Sequence, residues 1–195
     1  YCSDITRTYA YRDGLFAQMI SVFDRDQQTI ASNIKPGQNY ANATLDSLLS
    51  IANLLKEVGV IDLEPEAAFD TGIIHAFMPH RLGHFIGSQV HDVGGDMKDS
   101  SGAIYLPDKR FPRPPLTRPF ERGQIITVEP GLYFIELLLT PLREGPYSHN
   151  VDWGLVDKLM PYGGMRIEDD VLILDSGAEN LTRKGFDEIY AMPAE

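Results

Sequence analysis

The chain changes character at Gly72, and this change restricts its fold more than any other feature. Before that point, Gly14–Ile34 and Tyr40–Val58 carry apolar residues at helical spacing, and Gly59 follows as a helix stop. Pro65–Phe69 predicts a further short helix. The first part of the chain is therefore predicted to be helical.

After Gly72 the chain consists of short β-like runs separated by glycine and proline. An extended segment rich in β-branched and aromatic residues is also predicted near the start, at Ile5–Tyr9. Asp92–Gly123 is a long, polar, proline-rich stretch, which predicts a functional loop. Helices first and strands later predict an α+β fold, in a single domain spanning residues 1–195. The other predicted strands are Phe85–Val90, Ile125–Glu129, Leu132–Leu138 and Met165–Leu174.

Charge and composition exclude several function classes. The formal net charge is −11, so the basic surface that a nucleic-acid partner requires is missing. The longest apolar run, Gly131–Leu139, contains Glu136 and is too short to cross a bilayer, so no membrane association is expected. Cys2 is the single cysteine, which excludes an internal disulfide and favours a reducing, cytoplasmic location.

Histidines are concentrated in one segment. Three of the five histidines, His80, His84 and His91, fall between residues 80 and 91. A lone histidine is more often structural or exposed than functional, but three together indicate a site. The glycines between them, Gly83 and Gly87, are expected to permit a close approach of the backbone to a ligand.

Three acidic residues stand at the edges of predicted strands. Glu129 closes an apolar run, and a carboxylate in that place is costly unless it is paired or bound to a metal. Asp4 and Glu168 also adjoin β runs, although each taken alone is equally compatible with an exposed turn. Together with His84 they offer three carboxylates and one imidazole. This set suits Mn²⁺ or Co²⁺, with Zn²⁺ also possible. Spacing alone does not establish that they converge.

Four segments in order resemble the metal-binding segments of the pita-bread metallopeptidases, and most of all the bacterial proline dipeptidases (prolidases, Xaa-Pro dipeptidases). They are SDITRTY, FMPHRLGHFIGSQVHDVGG, ITVEPGLYFIE and GGMRIEDDV. The likeness runs almost from end to end. It implies a pita-bread catalytic domain and a small peptide substrate.

The resemblance also implies roles for individual residues. It implies a pair of divalent metal ions, most simply Mn²⁺, which activate a hydroxide for attack on the scissile carbonyl. Glu129 is implied to shuttle protons as well as to bind metal, and His91 to take part in catalysis. The implied metal ligands are Asp4, His84, Glu129 and Glu168, and the implied substrate contacts are His80, His91 and Arg166.

One departure from the family pattern concerns the start of the chain. Family members carry a first metal-binding aspartate upstream of the position of Asp4, where this sequence has only Tyr1, Cys2 and Ser3. We therefore expect a fragment with one nearly complete metal site and weak or no hydrolysis of its own. We also expect the amino-terminal domain that full-length relatives use for dimer contacts to lie outside this sequence, so a homodimer is expected only of the parent protein.

A second departure affects substrate choice. Prolidases commonly place an arginine that grips the substrate carboxylate where this chain has Pro115, and Arg113 stands two residues away. Arg81 replaces the small glycine of the usual HGxGH pattern. Two alternatives therefore remain: a related aminopeptidase or organophosphate hydrolase, and a module of this fold that binds peptide or protein without cleaving it.

Overall fold

The computed structural model describes residues 3–106 and 108–191, so Tyr1 and Cys2 lie outside the described residues. The order of elements is helices, then strands mixed with helices, which confirms the predicted α+β class. The helices are α1 Leu15–Asn33, α2 Tyr40–Glu57, α3 Pro65–Asp70, α4 Ile73–Phe77, α5 Glu136–Arg143, α6 Trp153–Leu159 and α7 Leu181–Ala191. The strands are β1 Phe85–Ile86, β2 Ile125–Val128, β3 Gly131–Tyr133, β4 Gly164–Arg166, β5 Asp169–Ile173 and β6 Ala178–Asn180.

The first three helices match their predictions to within one or two residues. α1 buries one apolar face that includes Met19 and Phe23. α2 is capped by Asn39, whose side chain accepts a 2.9 Å bond from the N–H of Ala41, and it ends before Gly59, at φ 81°. These two helices supply much of the buried core of the described residues.

A four-stranded antiparallel sheet in the order β1-β2-β5-β6 packs against the helices. β2 pairs with β5 in a register that sets Ile125 opposite Leu172 and Val128 opposite Asp169. β3 and β4 form a separate two-stranded ribbon. The end of β2 lies opposite the start of β5, and the start of β3 lies opposite the end of β4, so residues flanking these strands are brought together.

The predicted strand Leu132–Leu138 is wrong in its second half. Only Gly131–Tyr133 is extended, and the chain turns into helix α5 at Glu136. Leucine is a strong helix former, and the run here does not alternate between buried and exposed residues. Leu139 is buried against the core, whereas Leu137 is 82% exposed.

Other predicted strands are shorter or divided. The predicted strand Phe85–Val90 is extended only at Phe85 and Ile86. The chain turns back after Gly87, so the N–H of Asp92 donates a 3.0 Å bond to the carbonyl of Phe85. Met165–Leu174 is two strands in different sheets, with a break at Ile167 and Glu168.

The extended segment near the start makes only one β-bridge, between Thr6 and Glu168. Thr8 bonds to the backbone of Arg166 through its hydroxyl, which donates to the Arg166 carbonyl and accepts from the Arg166 N–H. Helices α4, α6 and α7 were not predicted, although the Asp152 side chain that caps α6 is a recognisable start signal.

The long segment between β1 and β2 contains no helix and no strand among its described residues, as predicted, and a single bridge joins Met97 to Ile104. Phe111, Leu116 and Phe120 anchor it to the core. In the described ranges, no helix is both long and apolar enough to cross a membrane.

Candidate metal centre

The segment that carries Asp4 lies against the strand that begins after Glu168. Thr6 and Glu168 exchange backbone hydrogen bonds, and the Thr6 hydroxyl donates a 2.6 Å bond to the Glu168 carboxylate. The N–H of Asp4 points at the Asp170 carboxylate, 3.3 Å away. These contacts bring two acidic side chains from opposite ends of the chain, Asp4 and Glu168, to the same place.

His84 is held so that one ring nitrogen is free. Its Nδ1 donates to the carbonyl of Phe85 at 3.0 Å, which fixes the proton on Nδ1 because a carbonyl can only accept. Its own N–H bonds to the Thr127 hydroxyl at 3.0 Å, and the Tyr40 hydroxyl donates to its carbonyl at 2.7 Å. The lone pair of Nε2 therefore faces the carboxylates, as in metal-binding histidines.

Three carboxylates converge on this nitrogen. His84 Nε2 lies 3.3 Å from Asp4 Oδ2 and 3.5 Å from Glu129 Oε1. Ligand atoms of His84, Glu129 and Glu168 all lie within 4.8 Å of one another, as do those of Asp4, His84 and His91. The four residues named as ligands from the sequence thus lie around the side chain of His84, which both groups share.

The cluster fits a divalent cation. His84 Nε2 is buried, and no described residue forms a hydrogen bond with it, although a buried polar atom is normally paired. Carboxylates as close as Asp4, Glu129 and Glu168 repel one another unless a cation or protons lie between them. Oxygen donors with one imidazole suit the harder first-row metals.

Glu129 shows the electrostatic cost of this arrangement. Burial, followed by the negative charge of Glu168, raises the pKa of Glu129 to about 7. Arg166 and the Thr127 hydroxyl oppose this rise, at 3.4 Å and 3.3 Å from the carboxylate. A metal ion would supply the missing positive charge.

A directed chain of hydrogen bonds runs beside the carboxylates. Arg166 Nε donates to the Tyr133 hydroxyl at 2.7 Å, and that hydroxyl lies 3.0 Å from His80 Nε2. His80 Nδ1 is 2.7 Å from the carbonyl of Arg81 and must donate to it, so Nε2 is the acceptor and the tyrosine is its donor. A Cβ at Gly131 would lie 2.5 Å from His80 Nε2 and 2.4 Å from the tyrosine hydroxyl, so only glycine fits there.

His91 lies at the open side of the cluster. Its side chain is 80% exposed, and Nε2 lies 3.6 Å from Asp4 Oδ2. Its ring is 4.2 Å from the ring of His84, centre to centre. Two of the three clustered histidines, His84 and His91, therefore adjoin the carboxylates, and His80 lies farther from them, beside Tyr133.

A cavity of about 810 Å³ opens above these residues. Arg81 and Arg113 line it together with the acidic cluster, whereas Pro115 is buried and is not part of its lining. Arg81 Nε donates a 2.8 Å bond to the carbonyl of Pro114, which ties the histidine segment to the long loop. The cavity thus has carboxylates on its floor and guanidinium groups at its side.

Two glycines of the histidine segment are packed against other parts of the chain, and their predicted role beside a ligand stays a prediction. A Cβ at Gly83 would lie 2.2 Å from the Thr127 carbonyl oxygen, and one at Gly87 would lie 1.8 Å from the Asp92 carboxylate. The close approaches at these two positions are therefore to the chain itself.

Several residues of the site were missed in the sequence. Thr6 and Thr127 bind ligand carboxylates, and Tyr133 connects Arg166 to His80. Each lies in or beside a named motif, but its partner lies far away in sequence or on another strand, so spacing could not identify it.

Comparisons with known proteins agree with this geometry. Residues 1–175 match the model of Metallopeptidase family M24. Over 184 residues the chain is 47% identical to an Xaa-Pro dipeptidase of Aeromonas hydrophila, with 94% of this chain and 42% of the relative covered. Over 191 residues it is 44% identical to Xaa-Pro dipeptidase 2 of Idiomarina loihiensis, covering 98% of this chain and 43% of that protein. The chain thus spans about two fifths of these relatives.

Among solved structures, the chain resembles part of aminopeptidase P. The aminopeptidase PepP of Pseudomonas aeruginosa superposes with a TM-score of 0.67 at 27% identity, over 94% of this chain and 35% of that chain. A zinc-substituted aminopeptidase P of E. coli in complex with product gives 0.65 at 26% identity, over 93% and 34%. These matches confirm the predicted pita-bread fold.

Proposed function

The chain belongs to metallopeptidase family M24, and on that premise we propose that the intact protein is a metal-dependent hydrolase of Xaa-Pro dipeptides. Relatives 44–47% identical carry the name Xaa-Pro dipeptidase. The observation that carries the proposal is the convergence of three carboxylates on the free Nε2 of His84 at the floor of a cavity.

Four residues would hold the metal: Asp4, His84, Glu129 and Glu168. Divalent ions bound there would act as Lewis acids on the scissile carbonyl and lower the pKa of an attacking water. The oxygen-rich donor set favours Mn²⁺, with Co²⁺ and Zn²⁺ as alternatives. The residues themselves contribute position: Thr6 orients the Glu168 carboxylate, and Thr127 orients Glu129.

Glu129 is suited to move protons. Its carboxylate lines the cavity 3.5 Å from His84 Nε2, where it can reach an attacking water and act as a general base. In the proposed reaction it takes the proton of the attacking water and passes it to the departing prolyl nitrogen. Arg166, 3.4 Å away, steadies the carboxylate between these two steps.

The side walls of the cavity would bind the substrate. His91 is exposed next to Asp4 and can reach the scissile peptide group, and His80 and Arg166 lie along one wall. Arg113 and Arg81 offer guanidinium groups for a carboxylate of the substrate. In our proposal Arg113 takes over the role that Pro115 cannot perform.

Three further features belong to the same proposal. The protein works in the cytoplasm, which fits a sequence with one cysteine. It acts as a homodimer, as the resemblance to full-length prolidases implies. Its ligand is a small peptide, in keeping with a cavity of about 810 Å³.

The proposal is tested by assaying the intact protein with Mn²⁺ against Xaa-Pro dipeptides and against matched Xaa-Ala dipeptides. We expect cleavage of the proline series, loss of activity with a chelator, and recovery when metal is restored. A metal-loaded protein that cleaves no peptide would overturn the proposal in favour of a non-catalytic binding module. The retained set of donor residues weighs against that module.

A second candidate is an aminopeptidase acting on longer peptides. It is favoured by the similarity to aminopeptidase P structures and by Pro115 in place of the usual arginine. Xaa-Pro dipeptides and Xaa-Pro-Xaa tripeptides in one assay distinguish the two. A preference for the tripeptide would favour the aminopeptidase.

A further inference from the structure

A network of charges centred on the buried Asp169 lies behind the metal cluster and has no part in the reaction proposed above. Asp169 follows Glu168, and because successive strand residues face opposite sides, its carboxylate points away from the cavity. This side chain is fully buried. It accepts hydrogen bonds from Arg7 Nη2 at 2.5 Å, Asn180 Nδ2 at 2.7 Å and Arg183 Nε at 3.0 Å.

The network continues to helix α1 and is balanced in charge. Arg183 also donates to the Asp24 carboxylate at 2.5 Å, so two guanidinium groups meet two carboxylates. A buried charge is costly unless it is paired and hydrogen-bonded, and both oxygens of Asp169 are satisfied here. The network therefore ties together α1, β5, α7 and the segment at the start of the chain.

Arg7 connects this network to the metal ligands. Its Nη1 donates to the carbonyls of Thr6 and Glu168, both at 2.8 Å, while Nη2 holds Asp169. The guanidinium group also lies over the ring of Phe186, 5.0 Å from its centre. One side chain thus fastens the segment that carries Asp4 to the strand that follows Glu168.

Short contacts of its own segment also hold Asp4. Its side chain is 28% exposed, and its segment joins the sheet through a single bridge. The 3.3 Å contact of its N–H with Asp170 and the bonds made by Thr6 and Thr8 are its nearby attachments. Arg7 adds to these attachments, because its guanidinium group bonds to the carbonyls of both Thr6 and Glu168.

We infer that Arg7 and Asp169 are positioning residues that hold Asp4 and Glu168 in the arrangement required for tight metal binding. The inference rests on the proposed function, because it takes Asp4 and Glu168 as metal ligands. Partners that orient ligand residues typically contribute about 10–100-fold to metal affinity.

The test measures metal affinity separately from stability, in the intact protein. The variants are Arg7→Met, which keeps the stem over Phe186, and Asp169→Asn. Arg122→Met breaks an exposed ion pair with Asp175 and serves as the matched control. Mn²⁺ affinity is measured by calorimetry, Co²⁺ coordination by its visible absorption, and folding by thermal unfolding without metal.

We expect the Kd for Mn²⁺ to rise about 10–100-fold in both variants, with an altered Co²⁺ spectrum and no change in Arg122→Met. Arg7→Lys keeps the charge but cannot reach both carbonyls and the carboxylate together. Because the charge is kept, this variant should remain folded, and because contacts are lost, it should show an intermediate loss of metal affinity. This affinity tests the inference if the other two variants do not fold.

Asp4→Asn separates the two proposals. If Asp4→Asn loses metal while Arg7→Met, Arg7→Lys and Asp169→Asn bind it with native affinity and a native spectrum, the inference is overturned and the metal site stands. A lower unfolding temperature with native affinity in those variants has the same meaning, because it shows a purely structural role. If Asp4→Asn binds metal as well as the native protein, the ligand assignment itself is wrong, and the inference is overturned with it.

Discussion

His84 Nε2 lies 3.3 Å from Asp4 Oδ2, and no described residue forms a hydrogen bond with this buried nitrogen. The opposite ring nitrogen donates to the Phe85 carbonyl, so the free lone pair is fixed in direction. The imidazole of His84 is therefore preorganised to bind a cation.

Replacing His84 by asparagine should abolish tight metal binding. The loss should exceed the roughly 10–100-fold typical of a lost outer partner, because a direct ligand is removed. Metal should also no longer raise the unfolding temperature, since a ligand stabilises only the state that it binds. Calorimetry and thermal unfolding, with His149→Asn as the exposed control, check both effects. Native affinity in His84→Asn would exclude this nitrogen as a ligand.

Replacing Glu129 by glutamine should stabilise the metal-free protein at high pH. The pKa of Glu129 is raised from 4.5 to about 7 in the folded state. Because the folded state binds this proton more tightly than the unfolded state, protonated Glu129 stabilises the fold. This contribution to the free energy of unfolding is fully present below about pH 4.5 and is lost as the pH rises through about 7. A glutamine at this position carries no charge, so the variant should gain up to about 3 kcal/mol at pH 8 and nothing at pH 4.

Thermal unfolding with chelator across this pH range measures the effect. Glu136→Gln, which neutralises an exposed glutamate on α5, should leave the pH dependence unchanged. An equal gain at pH 4 and pH 8 for Glu129→Gln would contradict the assigned ionisation.

Replacing Arg113 by alanine should weaken the binding of dipeptides with a free carboxylate. A hydrogen bond to a charged group contributes about 1.5–3 kcal/mol, so kcat/KM should fall about 10–100-fold. The same dipeptides with an amidated C-terminus should lose little. Steady-state kinetics provide the measurement, and Lys109→Ala, an exposed cation of the same loop, provides the control. Equal losses on both substrate series would mean that Arg113 does not contact the carboxylate.

Replacing Tyr133 by phenylalanine should reduce turnover without loss of metal. The ring remains, but Arg166 loses its acceptor and His80 Nε2 loses its donor. We expect kcat to fall about tenfold, in line with one or two lost hydrogen bonds. Metal affinity should stay native, because neither bond involves a ligand atom. A variant with native kcat would show that this chain of bonds has no role in turnover.

The sequence predicted some elements well for local reasons. The apolar faces and the glycine at position 59 are sufficient to define α1 and α2. The four candidate metal ligands could be proposed because each stands at the edge of an apolar run inside a recognisable motif. The strand predicted at Leu132–Leu138 was wrong in its second half, because an apolar run without alternation does not distinguish a strand from a helix.

What could not be predicted depends on contacts between distant parts of the chain. Arg7 and Asp169 are ordinary charged residues in the sequence, and only the bridge between Thr6 and Glu168 makes them partners. In the same way, the burial of Pro115 and the place of Arg113 in the cavity lining follow from the path of a long irregular loop.

The most direct test of the metal centre is anomalous diffraction at the manganese edge from crystals of the intact, Mn²⁺-loaded protein. We predict a peak about 2.0–2.3 Å from His84 Nε2 and from oxygens of the carboxylates of Asp4, Glu129 and Glu168. A metal bound elsewhere, or a peak that His84 Nε2 does not contact, would contradict it.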